Sequence, residues 1–361
     1  MQLLILGGTR FLGRHLVEAA LARAHDITLF HRGTHPVAAR SHVDTIYGDR
    51  HRDLAQLHGR RWDAVIDTSG YHPHTVRAAA EALADTVPHY TFISSASVYA
   101  DYSVASLDET APVGTLTSEQ WHEADAIDTS GHVSAATYGK LYGPLKALCE
   151  QAVEDRLPGR VLTIRPGLLV GPYDYTDRFT YWVARVARGG EVLAPGRPHR
   201  GVQLIDTRDV ATWIMTMVEH QHTGLYNVTD WPPTLTMEAL LTACRTVSGS
   251  EARFTWVSEP FLHAEQVAHW TAMPLWLPED TMPHMQGVMA INCQKAMAAG
   301  LRCRPLHETI RDTWQWYVSE RQHEPFNAGI TADHEQHLLH RWHAIQGAHG
   351  DASELSVAPA Q

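Results

Sequence analysis

A four-residue apolar run, Leu3–Leu6, breaks without a spacer into Gly7-Gly8-Thr9-Arg10-Phe11-Leu12-Gly13 and then into an amphipathic segment over Phe11–Ala22. A strand, a glycine turn and a helix in that order begin a parallel sheet, because parallel strands need a crossover and the commonest crossover is a helix. The alternation continues along the chain. Strands are expected at Leu3–Leu6, Ile27–Phe30, Thr45–Tyr47, Ala64–Ile66, Tyr90–Ile93 and Val161–Ile164, and helices at Phe11–Ala22, Leu54–His58, Thr75–Leu83 and Leu141–Val153. Short apolar strands of this kind suit burial on both faces. The expected class is α/β, a doubly wound parallel sheet of the Rossmann type, with a smaller C-terminal substrate lobe.

The glycine turn fits a dinucleotide site. Glycines let the backbone approach a pyrophosphate, and the following helix directs N–H groups and a partial positive charge at it. Gly7, Thr9, Arg10, Phe11, Leu12 and Gly13 are the candidate cofactor residues here. Arg10 stands where a third spaced glycine is usual. The second strand ends Phe30-His31-Arg32-Gly33, where an NAD-selective site usually places a carboxylate for the ribose 2′-hydroxyl. Arg10 and Arg32 could instead bracket a 2′-phosphate, so the expected cofactor is NADP, with NAD as the alternative.

Tyr142-Gly143-Pro144-Leu145-Lys146 places a phenol and an ammonium four residues apart on one helix face. A lysine beside a tyrosine favours the phenolate, which suits it to the proton that accompanies hydride transfer. Pro144 requires that this face lie near the helix start. Phe92-Ile93-Ser94-Ser95-Ala96-Ser97-Val98-Tyr99 is a strand ending in hydroxyls, and strand carboxyl ends line the ligand crevice of parallel sheets. Ser95 is the candidate to hold a substrate oxygen, with Ser97 and Tyr99 as further substrate candidates.

Residues 1–165 are assigned to the dinucleotide-binding domain, interrupted by an excursion at 100–137 that is polar, turn-rich and without clear periodicity. Residues 166–325 are assigned mainly to the substrate lobe, built from Gly171–Gly201 and Tyr226–Leu301, with returns to the first domain. Residues 326–361 are assigned to a C-terminal helix, His334–His343, and a frayed tail. Further helices are expected at Phe179–Arg188, Val210–Glu219, Met237–Val247 and Leu306–Tyr317. Arg178, Arg185, Arg197 and Arg200 lie among Tyr175, Phe179, Tyr181 and Trp182; such a cluster could neutralise a diphosphate and stack a base. Arg178 and Arg200 are the substrate candidates from it. Trp213 and Trp231 are expected in packing.

With 29 Lys and Arg against 40 Asp and Glu, the 361-residue chain carries a net charge of −11, which argues against nucleic acid as main partner. No apolar run approaches the roughly 20 residues of a membrane span, and the start lacks a basic leader, so the expected location is cytoplasmic. Four dispersed cysteines make neither a disulfide framework nor a zinc site. His334-Glu335-Gln336-His337 lacks the zincin spacing, and His72 and His74 read as loop residues at a helix start, so no metal is expected.

Taken in order, these segments resemble the extended short-chain dehydrogenase/reductase family, of the sugar-nucleotide epimerase/dehydratase type, over roughly residues 1–320. The resemblance rests on GGTRFLG, Gly48-Asp49, SSASVY, YGPLK, RPGLLVGP and Ile205-Asp206-Thr207-Arg208-Asp209-Val210. GGTRF and YGPLKALCE look like an atypical subgroup that includes chloroplast stem-loop-binding proteins. The resemblance implies Tyr142 as general acid/base, Lys146 as its tuner and a ribose ligand, and Ser95 as holder of the substrate oxygen. It further implies Asp49 at the adenine, with Thr68 and Ser69 lining the cofactor. The family's 4,6-dehydratases carry an Asp-Glu pair after the strand-end hydroxyl; here Ala96-Ser97 stand there, which disfavours dehydration.

Three functions are open at this point. One is an NAD(P)(H)-dependent oxidoreductase acting on a keto or hydroxyl group of a sugar-nucleotide-like or small polyol substrate. The second is an epimerase with retained cofactor, and the third a non-catalytic RNA-binding or cofactor-sensing relative. The cationic 2′-phosphate site favours the first. Related enzymes often pair as homodimers through two helices.

Overall fold

The structure, a computed structural model, describes residues 1–35, 41–131, 133–230 and 232–354, with side chains described through 347. Trp231 and the tail from residue 355 lie outside the described residues.

The chain divides into two units. The first comprises 1–173, 203–234 and 284–304; the second comprises 174–202, 235–283 and 305–361. Two stretches read as lobe, 226–234 and 284–301, therefore fold with the first unit, while the last helix folds with the second.

The first unit is built on seven parallel strands: β1 (Gln2–Leu6), β2 (Asp26–His31), β3 (Val43–Tyr47), β4 (Ala64–Asp67), β5 (Tyr90–Ile93), β6 (Val161–Pro166) and β7 (Gly224–Val228). They lie in the order β7-β6-β5-β4-β1-β2-β3. The helices of the crossovers and the excursion include α1 (Phe11–Leu21), α2 (Pro73–Leu83), α3 (Ser118–Asp125), α4 (Tyr142–Glu154) and α5 (Thr207–Glu219). The period of two along β1 sends Leu3 and Ile5 into a cluster with Leu16 and Ala20 of α1 and Ile214 of α5. Leu4 and Leu6 go the other way, against Val76 and Leu83 of α2 and Cys149 and Val153 of α4. Burial on both faces is why β1 is apolar from Leu3 to Leu6, each such side chain contributing about 1.5–3 kcal/mol.

The β1–α1 turn depends on its glycines. Gly7 and Gly8 have φ of 100° and 82°, and a Cβ on Gly13 would sit 2.6 Å from the Gly8 Cα, so the first turn of α1 lies directly on the loop. Leu54–Leu57 forms a short 3₁₀ turn.

The excursion is more ordered than its composition suggested. Thr117 and Gln120 form a capping box that starts α3, whose sequence SEQWHEAD buries only Ala124. A helix with almost no apolar stripe leaves no periodicity to read.

The second unit pairs Glu191–Pro195 with Arg253–Val257 in parallel and adds helices at Thr180–Ala187, Met237–Ser248, Leu306–Trp316 and Ala332–Glu354. Phe179, Tyr181 and Trp182 are fully or almost fully buried core residues of this unit, not a stacking surface. Arg185 forms a buried ion pair with Glu335 and donates to the Gly189 carbonyl, which commits both side chains to the interior of this unit.

Candidate active site

The carboxyl ends of β1, β4 and β5 bring the candidate residues of the first unit together. At β1, Thr68 follows β4 and donates its Oγ1 to the Leu6 carbonyl, while a Cβ on Gly7 would meet that same Oγ1 at 2.5 Å. The cradle is shaped for bare backbone. Arg10 is the N-cap of α1 and supplies no side-chain capping bond. A glycine-only approach at a helix N-terminus is what a pyrophosphate requires, so these residues fit the dinucleotide read from the sequence.

Arg10 and Arg32 both act electrostatically on His35. His35 is held below its ordinary pKa by burial first and then by the charges of both arginines. Arg32 itself donates to the carbonyls of Ser130 (3.0 Å) and Gly131 (2.7 Å), tying the excursion to the end of β2. Asp49 is mostly buried, its carboxylate accepting from the His51 N–H at 2.9 Å and lying 3.5 Å from Arg52.

Below the crevice lies an ionic network that sequence reasoning missed. Asp67, the last residue of β4, is wholly buried and grips Arg50 in a bidentate pair. Tyr90 donates its hydroxyl to the same carboxylate at 2.9 Å, and the Ser69 N–H donates to it at 3.0 Å. Burial opposes the charge on Asp67, but the Arg50 guanidinium outweighs it and holds the carboxyl below the usual range. Arg50 also donates to the Ser69 hydroxyl at 3.1 Å, which fixes the loop assigned to the cofactor. In the sequence this network shows only as the Gly48-Asp49-Arg50 run.

Tyr142 opens α4, as Pro144 at the third helical position demands. Its ring lies 6.3 Å from that of Tyr71, in the loop after β4. Lys146, one turn on, is buried and donates from Nζ to the carbonyls of Gly70 (2.7 Å) and Ile93 (2.5 Å), bridging the ends of β4 and β5. Its Nζ also lies 4.3 Å over the Phe92 ring. Burial lowers its pKa to about 8. The helix start packs tightly on the strand-end hydroxyls, since a Cβ on Gly143 would collide with the Ser97 carbonyl.

Ser95 caps the turn after β5: its Oγ accepts from the Ser97 N–H and donates to the Ser97 hydroxyl, both at 3.0 Å. Ser97 is exposed. Tyr99 is not a substrate residue in this structure. It is buried, donates to Asn227 Oδ1 at 2.6 Å and accepts from Arg165 at 3.3 Å, so its hydroxyl is spent inside the fold. Arg165 in turn grips Glu150 of α4 with two bonds, and Ser94 donates to Glu150 as well. The network anchors α4 to β5, β6 and β7 one turn beyond Lys146.

In the second unit the arginine cluster is dispersed. Arg197 pairs with Glu279 at the surface. Arg200 is buried and donates to the carbonyls of Leu275 and Leu277; burial lowers its pKa to about 10. Arg178 stacks over Trp270 at 5.3 Å. Both retain a buried Nε with no hydrogen-bond partner.

Residues 3–229 match the sequence profile of the NAD-dependent epimerase/dehydratase family. The chain belongs to that family. Among relatives of this family member, the chloroplast stem-loop binding protein of 41 kDa b from Arabidopsis thaliana is 24% identical over 270 residues. That match covers 69% of this chain and 63% of the plant protein, so the chain spans under two thirds of its relative's length. The fold recurs in a UDP-N-acetylglucosamine 4-epimerase from Methanobrevibacter ruminantium, solved with UDP-N-acetylmuramic acid. That structure has a TM-score of 0.64 at 14% identity, with 88% of this chain and 98% of that one covered. It recurs in a UDP-glucuronic acid 4-epimerase from Bacillus cereus, solved with NAD, with a TM-score of 0.62 at 15% identity over 89% and 100% of the two chains. The shared fold is a parallel sheet with flanking helices. No helix among the described residues is long and apolar enough to cross a membrane.

Proposed function

We propose that this chain epimerises a secondary alcohol carbon of a nucleotide-sugar-like substrate, holding a dinucleotide cofactor throughout the cycle. The observation that carries this reading is the placement of Tyr142 and Lys146 at the start of α4, with Lys146 clamped between the loops that follow β4 and β5. The backbone of Gly7 to Gly13 and the α1 N-terminus hold the pyrophosphate, with Thr68 and Ser69 beside it and Asp49 toward the adenine. A bound nicotinamide would supply the hydride acceptor and donor for this chemistry.

The chain's own residues manage the proton. Tyr142 accepts it from the substrate hydroxyl and gives it back to the carbonyl oxygen. Lys146 favours the ionised phenol, and its grip on two carbonyls keeps the ammonium from swinging away. Ser95 donates to the substrate oxygen once its bond to Ser97 yields. Ala96 and Ser97, in place of carboxylates, leave elimination of water without its acid and base.

A second reading, net reduction with exchangeable NADPH, is favoured by Arg32, a cation following β2 where an NAD-selective site usually has a carboxylate. Isotope tracing separates the two. The purified chain is incubated with a panel of UDP-hexoses deuterated at the ring carbons, and products are followed by NMR and mass spectrometry. Epimerisation returns the deuterium to the same carbon with inverted configuration and consumes no added cofactor. With NADP⁺ added as acceptor, deuterium appearing in the NADPH formed, together with a ketone product, is the reverse of the reduction and supports the reductase. If the chain binds neither NAD(H) nor NADP(H) in native mass spectrometry, both readings fall and the RNA-binding relative becomes the guide.

A further inference from the structure

Outside the redox residues, the structure brings together three donors that the sequence left as loop polarity. His72 and His74 flank Pro73 at the start of α2, and Asp125 is the last residue of α3. One donor atom from each lies within 4.8 Å of the other two. His72 Nε2 approaches Asp125 Oδ1 to 3.2 Å, yet this buried nitrogen has no hydrogen-bond partner. A close but misaligned approach is the arrangement of two lone pairs aimed at a shared centre rather than at each other.

The surroundings hold this geometry. Pro73 fixes the backbone between the two imidazoles. Trp121, on α3 one turn before Asp125, packs against both rings, at 5.6 Å from His72 and 5.3 Å from His74. The His72 side chain is 11% exposed and the Asp125 side chain 41%, so an ion would enter from solvent and meet a buried ligand last.

We propose that His72, His74 and Asp125 form a binding site for a zinc-class divalent cation, with the remaining coordination position open to water. Two imidazoles and one carboxylate select borderline transition metals over magnesium or calcium, which take oxygen ligands. Donors on one tetrahedral zinc lie roughly 3.4 Å apart, given metal–ligand lengths of about 2.0–2.2 Å, so the side chains close by about an ångström on binding. Coordination through His72 Nε2 also requires the proton on Nδ1, which releases the weak 3.4 Å bond from the His74 N–H. The bound ion pins α3 of the excursion to the start of α2. Tyr71, which packs on Tyr142, is the residue immediately before His72, so the pin lies one residue from the wall of the redox site.

The test uses the full chain, stripped with a chelator and titrated with zinc chloride by calorimetry, beside His74→Ala and Asp125→Asn. Both altered residues are exposed and outside the redox machinery, and circular dichroism checks their fold. The other histidines contribute the same surface binding to all three proteins. The expected result is one equivalent in the wild type that weakens by about tenfold or more in each variant. Cobalt in that equivalent gives tetrahedral visible absorption, and magnesium does not compete. Retention of the wild-type equivalent by either variant, or identical isotherms for all three, overturns the site whatever the outcome of the epimerase assay.

Discussion

Arg50 holds Asp67 by two parallel bonds, Nη1 to Oδ1 at 2.9 Å and Nη2 to Oδ2 at 2.8 Å, at the point where β4 turns into the cofactor loop. The carboxylate has no solvent exposure, so the guanidinium is what permits its charge. Arg50→Met leaves that charge uncompensated and is expected to destabilise the fold by about 3–5 kcal/mol in urea unfolding at neutral pH. The paired variant Arg50→Met with Asp67→Leu recovers much of the loss. In the wild type the depressed carboxyl contributes stability above its unfolded pKa, and that contribution fades as pH falls through the folded value. The deficit of Arg50→Met therefore shrinks on acidification. A single-variant cost below about 1 kcal/mol would show that the pair carries little.

Tyr142→Phe removes one oxygen from the mouth of the site without touching the glycine turn. Turnover should fall by about 10²–10⁴-fold while cofactor affinity, measured by fluorescence titration, stays near that of the wild type. Undiminished turnover removes Tyr142 from the acid/base role.

Lys146 should set the alkaline limit of the proposed reaction. Its pKa is lowered to about 8 by burial, so the ammonium is present below that pH and lost above it. The rate should decline as pH rises through about 8. Lys146→Arg keeps a cation at all accessible pH values, so whatever activity it retains should lose this limb. An unaltered alkaline limb in that variant assigns the titration to another group.

Arg32 is engaged twice in the reading offered here: it holds the Ser130 and Gly131 carbonyls, and it is proposed as a 2′-phosphate ligand. Arg32→Asp should weaken NADPH more than NADH. It should also raise hydrogen exchange in the segment around residues 128–131, because the tie to β2 is cut. Equal loss for the two cofactors means that Arg32 serves the excursion alone.

The local signals legible in the sequence were those with a strong period or a special backbone demand. The six strands of the first half stand within two residues of their expected ends, since all but the edge strand β3 are short, largely buried runs dominated by apolar residues. The glycine turn was legible because positive φ and close approach admit little else. Less of the second half was visible. Leu168–Val170 and Leu204–Asp206 are three residues each, too short for periodicity to register, and α3 is polar on nearly every side. Tyr99 looked like a crevice residue because it follows a strand end; its partners, Arg165 and Asn227, lie 66 and 128 residues away.

By itself, then, the order of residues determined the parallel sheet, the bare-backbone turn at its first crossover, and the phenol and ammonium on one helical turn. These are local properties: hydrophobic spacing, conformational freedom and a separation of four. Tertiary structure alone decided which polar groups are consumed in support and which are left facing a ligand. Arg50 found Asp67, Arg185 found Glu335 and His72 met Asp125 only after folding. Such pairings depend on burial and on contacts distant in sequence, and neither is written in the spacing of neighbours.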